Sequence, residues 1–80
     1  MRHLRLYTRQ GCHLCEDMQI QLQELQVDEG FTMELIDVDR EPGIQSTYGR
    51  RVPLLETAEG DCLCEYYLEQ ISLLNYLHGG

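Results

Sequence analysis

The chain has no lysine and no tryptophan. Its six basic residues are all arginine and face fourteen acids, for a formal net charge of −8. A surface so poor in cations suits neither nucleic acid nor anionic lipid, so neither is expected as a partner. Long apolar runs are also missing, and none approaches the length that spans a bilayer. The opening residues, Met1-Arg2-His3-Leu4-Arg5, hold no apolar block and no small-residue cleavage site, so a cytoplasmic location is expected. Internal repeats, linkers and low-complexity segments are absent. Residues 1–80 therefore read as a single domain, near the size at which one core becomes marginal.

What the chain does have is four cysteines, two of them in Cys12-His13-Leu14-Cys15. In a reducing compartment such cysteines serve catalysis or metal binding more often than a disulfide framework. The pair follows a short alternating stretch and opens a long amphipathic one. Free N–H groups and the dipole at a helix start favour a thiolate over a thiol, so a lowered pKa is expected at Cys12, with support from Arg9. The second sulfur falls one turn along the same face. Cys12 can then attack a disulfide, and Cys15 can resolve the mixed disulfide.

From His3 to Thr8, Leu4, Leu6 and Thr8 point one way and Arg5 and Tyr7 the other, as in a strand. Arg9-Gln10-Gly11 is a polar turn. From Cys12 to Glu29, Cys15, Met18, Leu22 and Leu25 recur at helical spacing, and Gly30 is placed to end the helix. Phe31 to Val38 reads as a second strand. Pro42 opens a short helix that carries Ile44 and Tyr48 on one face and closes at Gly49. Val52-Pro53 leads into a third strand through Thr57. Ala58-Glu59-Gly60-Asp61 turns the chain into a fourth strand, Cys62 to Tyr67. Leu68, Ile71, Leu74 and Leu77 mark a last helix before a frayed Gly79-Gly80. The order is β-α-β-α-β-β-α: an α/β fold with a four-stranded mixed sheet, a parallel first pair, a final hairpin and helices on both faces.

That order, with Cys12-His13-Leu14-Cys15 opening the first helix and Val52-Pro53 opening the third strand, resembles the thioredoxin fold in its minimal form. The chain is similar to the small glutaredoxin-like proteins of bacteria. The resemblance rests on Leu6-Tyr7-Thr8-Arg9 through Cys15, on Tyr48-Gly49-Arg50-Arg51-Val52-Pro53, and on the hairpin to Tyr66. It implies a thiol–disulfide oxidoreductase that acts on protein or glutathione disulfides. It also implies a cis peptide at Pro53, with Val52 and Pro53 positioning the substrate beside the pair. Two departures stand out. His13-Leu14 replace the usual Pro-Tyr, and Cys64-Glu65-Tyr66-Tyr67-Leu68-Glu69 replaces the Gly-Gly and Asp that hold glutathione in such proteins.

Cys12 is thus the expected nucleophile and Cys15 the resolving thiol. A protonated His13 would stabilise the thiolate and make the couple more oxidising. Arg9 and Arg51 are candidates to hold a glutathione carboxylate or to support the thiolate; the bland alternative is arginines paired with surface acids. Cys62 and Cys64, two apart on a strand, would share one face. They read as small hydrophobes, with a second redox pair as the alternative. Tyr66, Tyr67 and Tyr76 read as core or rim. No bound cofactor or metal is expected, with glutathione as an optional co-substrate, and nothing demands more than a monomer. Two other readings compete. One is a metal or iron–sulfur module using Cys12, Cys15 and some of Cys62, Cys64 and His13. The other is a redox-inactive interaction protein.

Overall fold

Alternation in the first strand sets up two cores, one on each side of a single sheet. The computed structural model describes residues 2–79; Gly80 lies outside them. The elements are β1 (His3–Thr8), α1 (His13–Glu29), β2 (Thr32–Asp37), a 3-10 turn (Val38–Arg40), α2 (Pro42–Tyr48), β3 (Leu54–Thr57), β4 (Cys62–Glu65) and α3 (Gln70–Leu77). The strands lie in the order β2-β1-β3-β4. β1 pairs parallel to β2 and antiparallel to β3, and β3 pairs antiparallel to β4. This is the arrangement that the resemblance implies, with helices on both faces.

Leu4 and Leu6 enter the larger core. There they meet Met18 and Leu22 of α1, Leu55 of β3, Cys64 of β4, Leu73 of α3 and Phe31. Leu4, Leu6, Leu22, Leu55 and Leu73 are fully buried. Each such leucine contributes roughly 1.5–3 kcal/mol relative to exposure. The helical spacing of Cys15, Met18 and Leu22 is what turns this stripe of α1 inward. Gly30 ends the helix in the left-handed region, at φ 66°, where a side chain would be strained.

Tyr7 points to the opposite face. With Val38 and Leu54 it forms a smaller core, covered by Ile36, Ile44, Tyr48 and Val52. The Tyr7 and Tyr48 rings stack at 4.0 Å between centroids, with 10° between their planes. Beneath them Glu56, only 6% exposed, accepts hydrogen bonds from Arg5 Nε (2.9 Å), the Tyr7 hydroxyl (2.9 Å) and the Tyr48 hydroxyl (2.9 Å). Burial works against ionisation of Glu56. The bonds from Arg5, Tyr48 and Tyr7 outweigh it and hold the carboxyl below its ordinary value. Burial, with Tyr48 and Glu56 as partners, raises the Tyr7 hydroxyl in turn.

Several boundaries differ from those expected. Phe31 is buried but precedes β2. Val38 has left the strand because Asp37 caps the 3-10 turn, its Oδ1 accepting from the Asp39 N–H at 2.9 Å. β3 begins at Leu54, one residue after Pro53. β4 stops at Glu65, since Tyr66 takes φ 67°, outside strand geometry. α3 starts at Gln70 rather than Leu68. The largest correction concerns Cys62 and Cys64, which do not share a face. A register shift opposite Leu55 and Glu56 pairs Cys64 with Leu55 and Cys62 with Glu56. The extra residue in β4 therefore turns Cys64 into the larger core and leaves Cys62 exposed on the other side.

The Glu56 network should set acid stability. A folded carboxyl held below the ordinary 4.5 contributes stability in full above that value and loses it as pH falls through the folded value. Urea unfolding of Glu56→Gln at neutral pH should show a loss of about 1–3 kcal/mol, the cost of mismatched buried partners. The gap to the parent should narrow below pH 4.5. A gap that stays constant across that range would mean the charge on Glu56 carries none of it.

Candidate functional site

The end of the sheet where β1 finishes is where the chemistry-bearing residues gather. Tyr7 pairs with Leu54, so the loop after β1 and the segment before β3 leave the sheet side by side. One carries Cys12, the other Val52-Pro53. The peptide bond between Val52 and Pro53 is cis, and Pro53 is buried.

Gly11, at φ 74°, makes the turn from β1 into α1 in a conformation that a side chain would strain. Cys12 is the N-cap of α1, in extended geometry at φ −99° and ψ 107°. Its Sγ accepts the main-chain N–H of Cys15 at 3.1 Å. The helix end thus directs an unsatisfied donor at this sulfur, as the sequence pattern implies. Cys12 is half-buried, whereas Cys15 is 2% exposed. The two are joined in a disulfide, with Cα atoms 5.2 Å apart. The partly open sulfur is Cys12, and the covered one is Cys15. His13 is exposed on the first turn, and Glu16 is the acid there.

The arginines are engaged elsewhere. Arg9 donates from Nε and Nη2 to the two oxygens of Asp39, both at 3.0 Å. Its guanidinium passes Gly49, where an added Cβ would lie 3.1 Å from Nη2 and 2.5 Å from the Gln45 carbonyl oxygen. Arg51 donates to both oxygens of Glu65, at 3.0 and 3.3 Å. These pairs hold Asp39 and Glu65 below the ordinary carboxylate range. Among the described residues neither guanidinium hydrogen-bonds Cys12 or Cys15.

The other two cysteines sit apart. Burial pushes the Cys64 thiol up, and partial desolvation of the otherwise exposed Cys62, with the Glu65 charge, raises that thiol against the pull of Arg51. Both are thereby held as thiols. Among the described residues no group of three or more His, Cys, Asp or Glu side chains is gathered as a metal would require.

Tyr66 is the feature that sequence reading missed. At φ 67° it holds a left-handed conformation that non-glycine residues seldom take. Two bonds hold it there: its N–H donates to the Pro53 carbonyl at 2.7 Å, and its hydroxyl donates to the Arg50 carbonyl at 2.7 Å. Tyr66 therefore ties the segment around the cis peptide from both ends. No local signal marks it, since left-handed turns usually announce themselves by glycine or asparagine. Tyr66 and Tyr67 are exposed and, with Leu68, face Leu14, Asp17 and Met18 of α1 across a groove.

The model of the Glutaredoxin-like domain (DUF836) family matches residues 3–77. The chain belongs to this glutaredoxin-like family. Among curated proteins it is similar to uncharacterized proteins of Mycobacterium tuberculosis and Mycobacterium bovis, each 39% identical over 57 residues. That match spans 65% of the chain and 59% of the length of those relatives. Among solved structures, protein Ne2328 of Nitrosomonas europaea aligns at a TM-score of 0.83 and 38% identity, over 94% of this chain and 89% of that one. Protein XcR50 of X. campestris aligns at 0.65 and 28%, over 96% and 97%. Oxidized thioredoxin O1 of Arabidopsis thaliana, at 23% identity and a TM-score of 0.60 over 96% and 74%, shares the fold.

Tyr66→Phe should lower the unfolding free energy by about 1 kcal/mol, the value of one hydrogen bond, because the Arg50 carbonyl loses its donor. Amide hydrogen exchange should rise in residues 50–52. Unchanged protection there would show that the hydroxyl does not restrain the segment.

Proposed function

We propose that this chain is a thiol–disulfide oxidoreductase working in a reducing, cytoplasm-like compartment. The observation that carries the reading is Cys12 at the N-cap of α1, with Cys15 buried one turn on and close enough to form a disulfide with it. Helix-end N–H groups and the dipole stabilise a thiolate at Cys12 once the bond is reduced.

In the reducing direction, the Cys12 thiolate attacks one sulfur of a partner disulfide. The partner S–S bond breaks, a Cys12–partner bond forms, and the expelled thiolate takes a proton from water. Cys15 then gives its proton to water and attacks Cys12 Sγ, expelling the second partner thiolate, which is protonated in turn. Two electrons and two protons reach the partner, and the Cys12–Cys15 bond remains. An external dithiol returns the pair to its reduced form by the reverse exchange. Val52 and Pro53, which leave the sheet beside the pair, position the partner segment. No cofactor enters these steps. The partner is a protein disulfide or glutathione disulfide, met by a monomer.

Redox titration in glutathione buffers, with bonds mapped by mass, should show the Cys12–Cys15 bond forming between about −270 and −120 mV, where redoxins and thiol oxidases lie. Cys15→Ser should trap a covalent partner on Cys12, and Cys12→Ser should abolish exchange. Failure of the bond to form anywhere in that range would overturn the reading.

A further inference from the structure

We propose that the redox pair takes disulfides carried by basic, apolar protein segments and discriminates against glutathione disulfide. This rests on the oxidoreductase reading and narrows its substrate.

A groove runs along the start of α1, and neither cysteine lines it. It begins at Leu14, which stands between the two cysteines in sequence, and holds about 260 Å³, room for one or two large side chains. Met18 is buried in its floor, and Tyr66 and Tyr67 form the opposite wall at 41% and 69% exposure. Adjacent exposed tyrosines bordering leucines offer an apolar body with polar tips, a surface suited to protein docking. Asp17 is the charged side chain of the lining; exposed Glu16 and Glu69 adjoin the lining in sequence, as does His13 beside Leu14. In a chain of net charge −8, this groove favours a cationic, apolar occupant.

Glutathione disulfide makes a different demand. Its carboxylates outnumber its ammonium groups, so holding it calls for unshared cations or free N–H groups near the sulfurs. Arg9 and Arg51 each already pair, through Nε and Nη2, with a carboxylate of this chain. The N–H of Tyr66 donates to the Pro53 carbonyl, and that of Tyr67 donates to the Glu65 carbonyl at 2.7 Å. Among the described residues Arg50 is the arginine of this edge without a carboxylate partner, and its exposed guanidinium stands alone against them. A peptide segment laid along the groove needs none of these donors.

The test uses the reduced full chain, freed of reductant and mixed in single turnovers with four disulfides. These are a peptide disulfide with leucine and arginine flanking the cysteine, its counterpart with glutamate for arginine, glutathione disulfide, and neutral hydroxyethyl disulfide. Acid quench and mass measurement report the Cys12–Cys15 bond. At low salt the arginine peptide should react about tenfold or more faster than the glutamate peptide and glutathione disulfide, and added salt should shrink the ratio. Asp17→Lys should bring the arginine-to-glutamate ratio to one or below. Tyr67→Ser should slow the arginine peptide relative to hydroxyethyl disulfide. Glutathione disulfide reacting as fast as the arginine peptide, or a ratio untouched by Asp17→Lys, would overturn the selectivity while hydroxyethyl disulfide still reacts. If none of the four oxidises the pair, the oxidoreductase reading fails and takes the selectivity with it.

Discussion

A single buried carboxylate joins three elements of this fold. Glu56 on β3 receives Arg5 and Tyr7 from β1 and Tyr48 from α2. An ionised group so enclosed is tolerable only when its oxygens are fully engaged, and here they are. The geometry that satisfies Glu56 also stacks Tyr7 on Tyr48 and seats α2 against the sheet. The segment from Tyr48 to Pro53, which bears the cis peptide, hangs from that seat. Arg51 N–H bonds the Tyr48 carbonyl at 2.9 Å, and Tyr66 secures the far end. The position of Pro53 beside the cysteine loop thus depends on a charge well inside the small core.

Three of the six arginines are spent internally. Arg5 serves Glu56, Arg9 serves Asp39, and Arg51 serves Glu65. In an acidic protein these pairs fix loops more than they add stability, since the exposed ones are worth little in water. Arg9 joins the loop before α1 to the 3-10 turn after β2, and Arg51 joins the cis-peptide segment to the end of β4. The loops around the cysteine pair are thus framed by salt bridges, while the tyrosine-walled groove that starts at Leu14 involves neither arginine.

Much of this was legible in the sequence because it follows from periodicity. The alternation of Leu4 to Thr8 and the helical spacing of Cys15, Met18 and Leu22 fix which sides are buried, and the glycines at 11 and 30 punctuate the turns. Cys12-His13-Leu14-Cys15 and Val52-Pro53 carry the family likeness. What escaped has a non-local cause. The faces of Cys62 and Cys64 depend on a register shift against β3, and spacing along β4 alone gives the opposite answer. The left-handed Tyr66 is held by carbonyls at positions 50 and 53. Arginine pairing is likewise a matter of tertiary approach, so the fold implied by the resemblance brings Arg9 and Arg51 to the edge of the site but does not say which way they turn.

The shift in β4 also bears on self-association. An open sheet offers two rims to any passing strand, and a long flat rim invites growth into fibrils. β4 is four residues long, and its irregularity breaks the ladder of donors and acceptors midway. A second molecule trying to continue the sheet there would find its hydrogen-bond spacing out of step after two residues. The displacement that moves Cys62 out of the core thus also makes one border of the sheet a poor template for polymerisation.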